Sequence, residues 1–212
     1  MERGAHPAAR CTTQVWPRRA SFRLRSDEGS HPRGRGRTAR GSTDQREVML
    51  TLEIDPSASV SALADIEESV RGSRIVIGAA SVIDSFVKVK PAGGIGDLVL
   101  GRRVVVNSGC VFYTGNGILI GDNVSIAANC TFAPVNHQFS LRDTLIQAQG
   151  FRPSRGGIVI EDDVWIGAGS VLLDGAVLRR GCVIGAMSLV RGEVAAYTVH
   201  GGNPLRLLAR RG

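Results

Sequence analysis

From Ile54 to Val190 an aliphatic residue returns at every sixth position. That spacing is too long for the alternation of a strand and out of step with the turn of a helix. The cleanest run is Ile160, Ile166, Leu172, Leu178, Ile184 and Val190. An earlier run is Ile77, Ile83, Val89 and Ile95; after a slip of register come Leu100, Val106, Phe112, then Ile120, Ile126, Phe132. Four places after the aliphatic residue stands a small or β-branched one: Ser81, Val87, Val99, Val104, Cys110, Val124, Cys130, Val164, Ser170, Ala176, Cys182 and Ser188. One large and one small inward position in six describes a short flat strand followed by a tight corner. Glycines beside the aliphatic position, as at Gly78, Gly101, Gly121 and Gly167, suit such corners because they carry no Cβ. Three faces close a coil of about eighteen residues, and layers stack at roughly 4.8 Å. One coil cannot bury its own apolar edge, so the pattern predicts a solenoid of about eight coils.

Two segments are specific beyond the period. VIEDDVWIGAGSVLLDGAVLRRGCVIGAMSLV is a core repeat block, and TVHGGNPLRLLARR, at Thr198 to Arg211, is a C-terminal signature. With them the chain from about Ile54 to Arg211 resembles the hexapeptide-repeat acyltransferases, in particular the maltose/galactoside-type and polysaccharide O-acetyltransferases. The resemblance implies an all-β fold, a left-handed parallel β-helix with a protruding loop and a short C-terminal segment that folds back. Handedness comes from the resemblance alone, since crossovers between parallel strands are generally right-handed.

After Phe132 the hexads stop and resume at Ile160, leaving a polar loop, 133–157, too long for a corner. Long loops on rigid scaffolds commonly carry function. This one opens with Asn136 and His137, the only histidine in the repeat region. Imidazole titrates near pH 6.5 and can remove a proton from a hydroxyl at neutral pH. In the family a catalytic histidine falls at the matching place, so the resemblance makes His137 the general base and puts Asn136 and Asn107, in VVVNSGC, against the acceptor. Asn107 reads equally as a corner asparagine. At Gly115 the family's sugar enzymes have an acidic substrate-binding residue that is absent here. For the donor, acetyl-CoA, the resemblance implies contacts from Ala168 and Ala186, then Arg191 and Gly192, with Arg206 near the nucleotide phosphates; the alternative for Arg206, Arg210 and Arg211 is a solvated basic terminus. It also implies a homotrimer with sites between subunits and no required metal. Cys110, Cys130 and Cys182 fall on small inward positions and read as buried filler. Trp165 is expected to point outward.

The charge is unevenly placed. The first forty-six residues hold eleven arginines against four acids, whereas the rest balances at fifteen of each. Residues 1–48 therefore read as a disordered basic tail, or as sequence upstream of a true start at Met49, and 49–212 as the repeat domain. The repeats lack basic stripes interleaved with aromatics, so no nucleic-acid partner is expected. No segment is long and apolar enough to span a membrane, and the expected compartment is the cytoplasm. The expected function is O-acetylation of a sugar hydroxyl in polysaccharide or glycoconjugate synthesis. The alternatives are N-acetylation of a nucleotide-linked amino sugar, inactivation of an antibiotic, and a scaffold without catalysis. A γ-type carbonic anhydrase shares the fold but needs three metal-binding histidines.

Overall fold

The structure is a computed structural model and describes residues 51–212. The basic tail expected over 1–48 lies outside the described residues. Three parallel sheets of seven, eight and six strands form the faces of a left-handed β-helix. The first face stacks Leu52–Ile54, Ile75–Ile77, Leu98–Leu100, Ile118–Ile120, Ile158–Ile160, Val177–Leu178 and Glu193–Val194. The second stacks Ser59–Val60, Val82–Ile83, Val105–Val106, Ser125–Ile126, Trp165–Ile166, Val183–Ile184 and Thr198–Gly201. Arg206–Arg210 closes it as the sole antiparallel partner. The third stacks Asp65–Ile66, Lys88–Lys90, Val111–Tyr113, Thr131–Ala133, Val171–Leu173 and Leu189–Val190. Among the described residues no helix is long and apolar enough to cross a membrane.

The hexad positions build the core as the period requires. Ile120, Ile126, Phe132, Ile166, Leu172, Leu178, Ile184 and Val190 are fully buried, as are the small Ser81, Val104, Cys110, Val124, Cys130, Ala176 and Cys182. Identical positions stack on successive coils. Phe112 and Phe132 lie face to face at 4.4 Å with 7° between their planes, and each buried side chain of this size contributes about 1.5–3 kcal/mol by leaving water. Two assignments fail where the register slips. Ile95 is 65% exposed, and Val99 faces outward while Leu98 and Leu100 point in.

Six coils are complete and a seventh is begun, fewer than the expected eight. Partners on the first face lie 23 residues apart in the first three coils, 20 in the next step, 40 across the loop, then 18 and finally 16. Every excess residue is inserted at one corner, where the third face turns into the first. Dividing chain length by a minimal coil missed these insertions.

Gly78, Gly101 and Gly121, at the corner from first to second face, answer to close approach and not to unusual torsions. A Cβ on Gly78 would stand 2.4 Å from the Gly101 carbonyl oxygen of the next coil. The positive-φ corner positions are instead filled by such residues as Asn123, Asp163 and Met187.

Candidate active site

The loop after Thr131–Ala133 is a tied ribbon. His137 and Phe151 form an antiparallel bridge. Beside it, the Gln138 N–H donates to Gly150 O at 2.9 Å and the Arg152 N–H to Asn136 O at 2.8 Å. Arg152 donates through Nε to Gln138 Oε1 at 3.2 Å, and its guanidinium lies 4.0 Å over the Phe139 ring. At the tip, Ile146–Gln149 makes one 3-10 turn. The Gln149 side chain accepts from Leu141 N–H and donates to the carbonyls of Leu141 and Thr144, which closes the tip.

At its root the loop is fixed on both sides. Val135 packs where Cβ atoms on Gly93 and Gly115 would fall, the latter only 2.4 Å from Val135 Cγ1. With Gly115 at φ +40°, an acidic side chain at that place has neither room nor a relaxed backbone. On the return, Asp174 accepts from the N–H groups of Arg155 and Gly157, and Gly175 N–H donates to Gly157 O at 2.7 Å.

His137 is thereby presented to solvent. Its ring rests on Phe151, centroids 4.7 Å apart and planes tilted 42°. Among the described residues no side chain hydrogen-bonds to this imidazole, so its orientation rests on that stacking. The other described histidine, His200, sits on the second face with Nδ1 3.2 Å from Thr198 Oγ1, and burial pushes its pKa down.

The expected site residues divide between two edges. Asn107, Ala168 and Ala186 lie at the corner from second to third face. The two alanines are exposed on adjacent coils, joined by Met187 N–H donating to Ala168 O at 2.8 Å. Asn107 binds the next coil through Nδ2 to Ile126 O at 2.8 Å, which is the corner role. Asn136, His137, Arg191 and Gly192 belong to the corner from third to first face. Arg191 and Gly192 line a cavity of about 320 Å³ with Leu189, Glu193, Asn203, Pro204 and Leu205. Arg206 begins the antiparallel strand beside this cavity and is exposed. Arg211 is committed elsewhere, to Gly181 O at 2.7 Å and Asp163 at 3.3 Å. One chain therefore does not bring His137 to the alanine edge.

All three described thiols are buried; burial pushes Cys182 up to about 12, and the contact with Cys130, together with burial, raises Cys110. Sequence reading placed Arg152 in the loop without a role and missed Phe151, Gln149 and Asp174. Only Asp174 left a trace, as a carboxylate in LLDGAV at a place where the repeat asks for nothing charged.

Coils and loop together define a hexapeptide-repeat protein of the left-handed β-helical class. Residues 157–192 match the family described as Bacterial transferase hexapeptide (six repeats), and the chain resembles the acyltransferases built on that repeat. A Mycobacterium tuberculosis protein named "Probable acetyltransferase" is 33% identical over 116 residues, 55% of this chain and 38% of that protein. The mitochondrial gamma carbonic anhydrase 2 of Arabidopsis thaliana is 30% identical over 144 residues, 64% of this chain and 52% of that protein. The chain thus spans about half or less of the length of these two relatives. Among solved structures, a mutant of AntD, an N-acyltransferase from Bacillus cereus, in complex with dTDP-4-amino-4,6-dideoxyglucose and coenzyme A, superposes with a TM-score of 0.63. It is 25% identical, over 76% of this chain and 84% of that one.

Proposed function

We propose that the protein transfers an acetyl group from acetyl-CoA to a sugar hydroxyl, with His137 as general base. The observation that carries this reading is the loop: a rigid solenoid is interrupted once at length, and the interruption is tied so as to hold one imidazole toward solvent. His137 takes the acceptor proton, the acceptor oxygen attacks the thioester carbonyl, and the C–S bond breaks to release the thiolate. A base of this kind is worth about 10²–10⁴-fold, and holding the two substrates together supplies the rest. Direct transfer accords with the burial of all three described thiols, which in Cys182 also pushes the pKa up.

Small exposed side chains at Ala168 and Ala186 suit a pantetheine arm laid across successive coils, and Arg191 and Arg206 suit its phosphates. Because Ala168 and Ala186 lie on a different edge from His137, the site is completed by a neighbouring subunit of a homotrimer. Light scattering coupled to size exclusion tests this, and a monomer at micromolar concentration would refute it. The compartment that supplies acetyl-CoA is the cytoplasm.

A second reading, N-acylation of a nucleotide-linked amino sugar, draws support from the likeness to the AntD complex. An amine acceptor uses the same base and donor edge. Carbonic anhydrase chemistry does not fit the donor set: the described residues contain two histidines on different elements and no group of three metal-ligating side chains.

The deciding experiment is thiol release from acetyl-CoA with a panel of sugars, nucleotide-linked amino sugars and chloramphenicol, alongside His137→Ala. Release that depends on an acceptor and vanishes in the variant supports the transferase and selects hydroxyl or amine. Failure of the intact trimer to bind acetyl-CoA at millimolar concentration would return the chain to a scaffold.

A further inference from the structure

We infer that Asp174 is a positioning residue for His137, acting through the return leg of the loop; the inference rests on His137 being the base. Asp174 belongs to the solenoid, at the turn after Val171–Leu173. It is the one carboxylate among the buried described residues, 3% exposed. Strand register puts Pro91, Thr114, Pro134 and Gly192 at the same place on other coils, so the turn itself does not call for a carboxylate.

Both oxygens are spent on the loop. Oδ2 accepts from Arg155 N–H at 2.7 Å and Oδ1 from Gly157 N–H at 2.9 Å. A buried carboxylate is costly unless such bonds satisfy it, and charge-assisted bonds are about twice as strong as neutral ones. The anchor therefore grips firmly. From Arg155 the leg runs back to Phe151, whose backbone bridges His137 and whose ring carries the imidazole. Arg152 N–H holds Asn136 O on the other side of the pair. The position of the imidazole thus depends on Phe151, and the position of Phe151 on two backbone bonds made by a residue of the next coil. A displacement of about 1 Å in a reacting group can cost about 10²-fold in rate.

The test compares Asp174→Ala and Asp174→Asn with Asp97→Asn in the full chain. Asp97 serves as the matched control: it accepts from Arg74 N–H at 2.8 Å at the same corner without touching the loop. The first readout needs no substrate. Imidazole proton resonances of His137, assigned by their loss in His137→Ala, sense the Phe151 ring current, and hydrogen exchange reports the peptide 136–157. In Asp174→Ala the resonances should move toward their unstructured positions and loop exchange should rise about tenfold or more, with coil peptides unchanged. Asp174→Asn, which keeps one carbonyl acceptor, should fall between, and Asp97→Asn should match the wild type.

In turnover, Asp174→Ala should lower kcat about ten- to a hundredfold with the KM for acetyl-CoA unchanged and partial recovery in Asp174→Asn. Wild-type imidazole signals and loop exchange in a folded Asp174 variant overturn the inference, as does undiminished kcat with a loosened loop. Displaced imidazole signals in a protein whose wild type transfers nothing support the anchoring and sink the proposed function instead. If Asp174→Ala does not fold, Asp174→Asn carries the comparison.

Discussion

Replacing Gly78 by alanine adds one methyl group where the next coil leaves no room. The new Cβ would meet Gly101 O at 2.4 Å, Gly101 C at 2.6 Å and Leu100 O at 2.9 Å, all of them backbone. Relief requires the coils to part by close to an ångström, yet Gly78 N–H donates to Leu100 O at 3.0 Å across that same gap. Overpacking costs about 1–3 kcal/mol and the stretched hydrogen bond about 1 kcal/mol more. The sum is about 2–4 kcal/mol. At about 2–4 °C per kcal/mol for a domain of this size, Tm should fall by roughly 4–16 °C. Gly192→Ala is the counterpart: nothing lies within 4 Å of its Cβ, and its backbone is not left-handed. The same chemical change there should leave Tm within about 2 °C of the wild type, since it also restricts the unfolded chain. Thermal unfolding followed by circular dichroism at 218 nm, a wavelength sensitive to strand content, measures both. Equal melting of Gly78→Ala and the wild type would refute close coil approach as the reason for glycine there.

His137→Ala should lower acceptor-dependent thiol release by about 10²–10⁴-fold while Tm stays within about 2 °C, because the ring is exposed; a tenth of wild-type turnover surviving would remove it from the chemistry. The Glu193 carboxyl is held below its ordinary value by Arg179. A carboxyl depressed in the folded state stabilises above its unfolded pKa, near 4.5, and that contribution is lost as pH falls through the folded value. Glu193→Gln should therefore lower Tm slightly at pH 7 and converge with the wild type in acid, below the folded pKa of Glu193, so that part of the acid limb flattens; an unaltered acid limb would contradict the pairing. In a Cys11→Ser background, Cys110, Cys130 and Cys182 should resist a thiol reagent until the protein unfolds, given their burial; rapid labelling of the native protein would place a thiol at the surface.

The solenoid was legible because its signal is a repeat: Ile160 to Val190 mark six consecutive faces in two stacked coils, and each is buried. The assignments of Ile95 and Val99 failed because a six-residue period carries no information about where extra residues are inserted. The loop was legible as an interruption and His137 as its notable side chain. The stacking of Phe151, the knot tied by Gln149 and the grip of Asp174 were not legible, since each joins residues whose neighbourhood depends on how a loop of irregular backbone returns. Asn107 shows the opposite limit: the local pattern admitted a corner asparagine, and its bond to Ile126 O shows that role without bearing on the acceptor.

All the insertions share one corner, and the strands on either side keep their register, Ile118 opposite Ile158 and Ile120 opposite Ile160. The corner behaves as a socket. A segment of any length can be plugged into it without shifting a single core residue, and lengthening it costs only about 0.6 kcal/mol of closure entropy per doubling. The architecture separates two tasks that most enzymes entangle. The stacked faces carry stability, and under the proposed function the socket carries the chemistry, so loops would be exchanged there as cassettes, a new acceptor being tried against an unchanged scaffold.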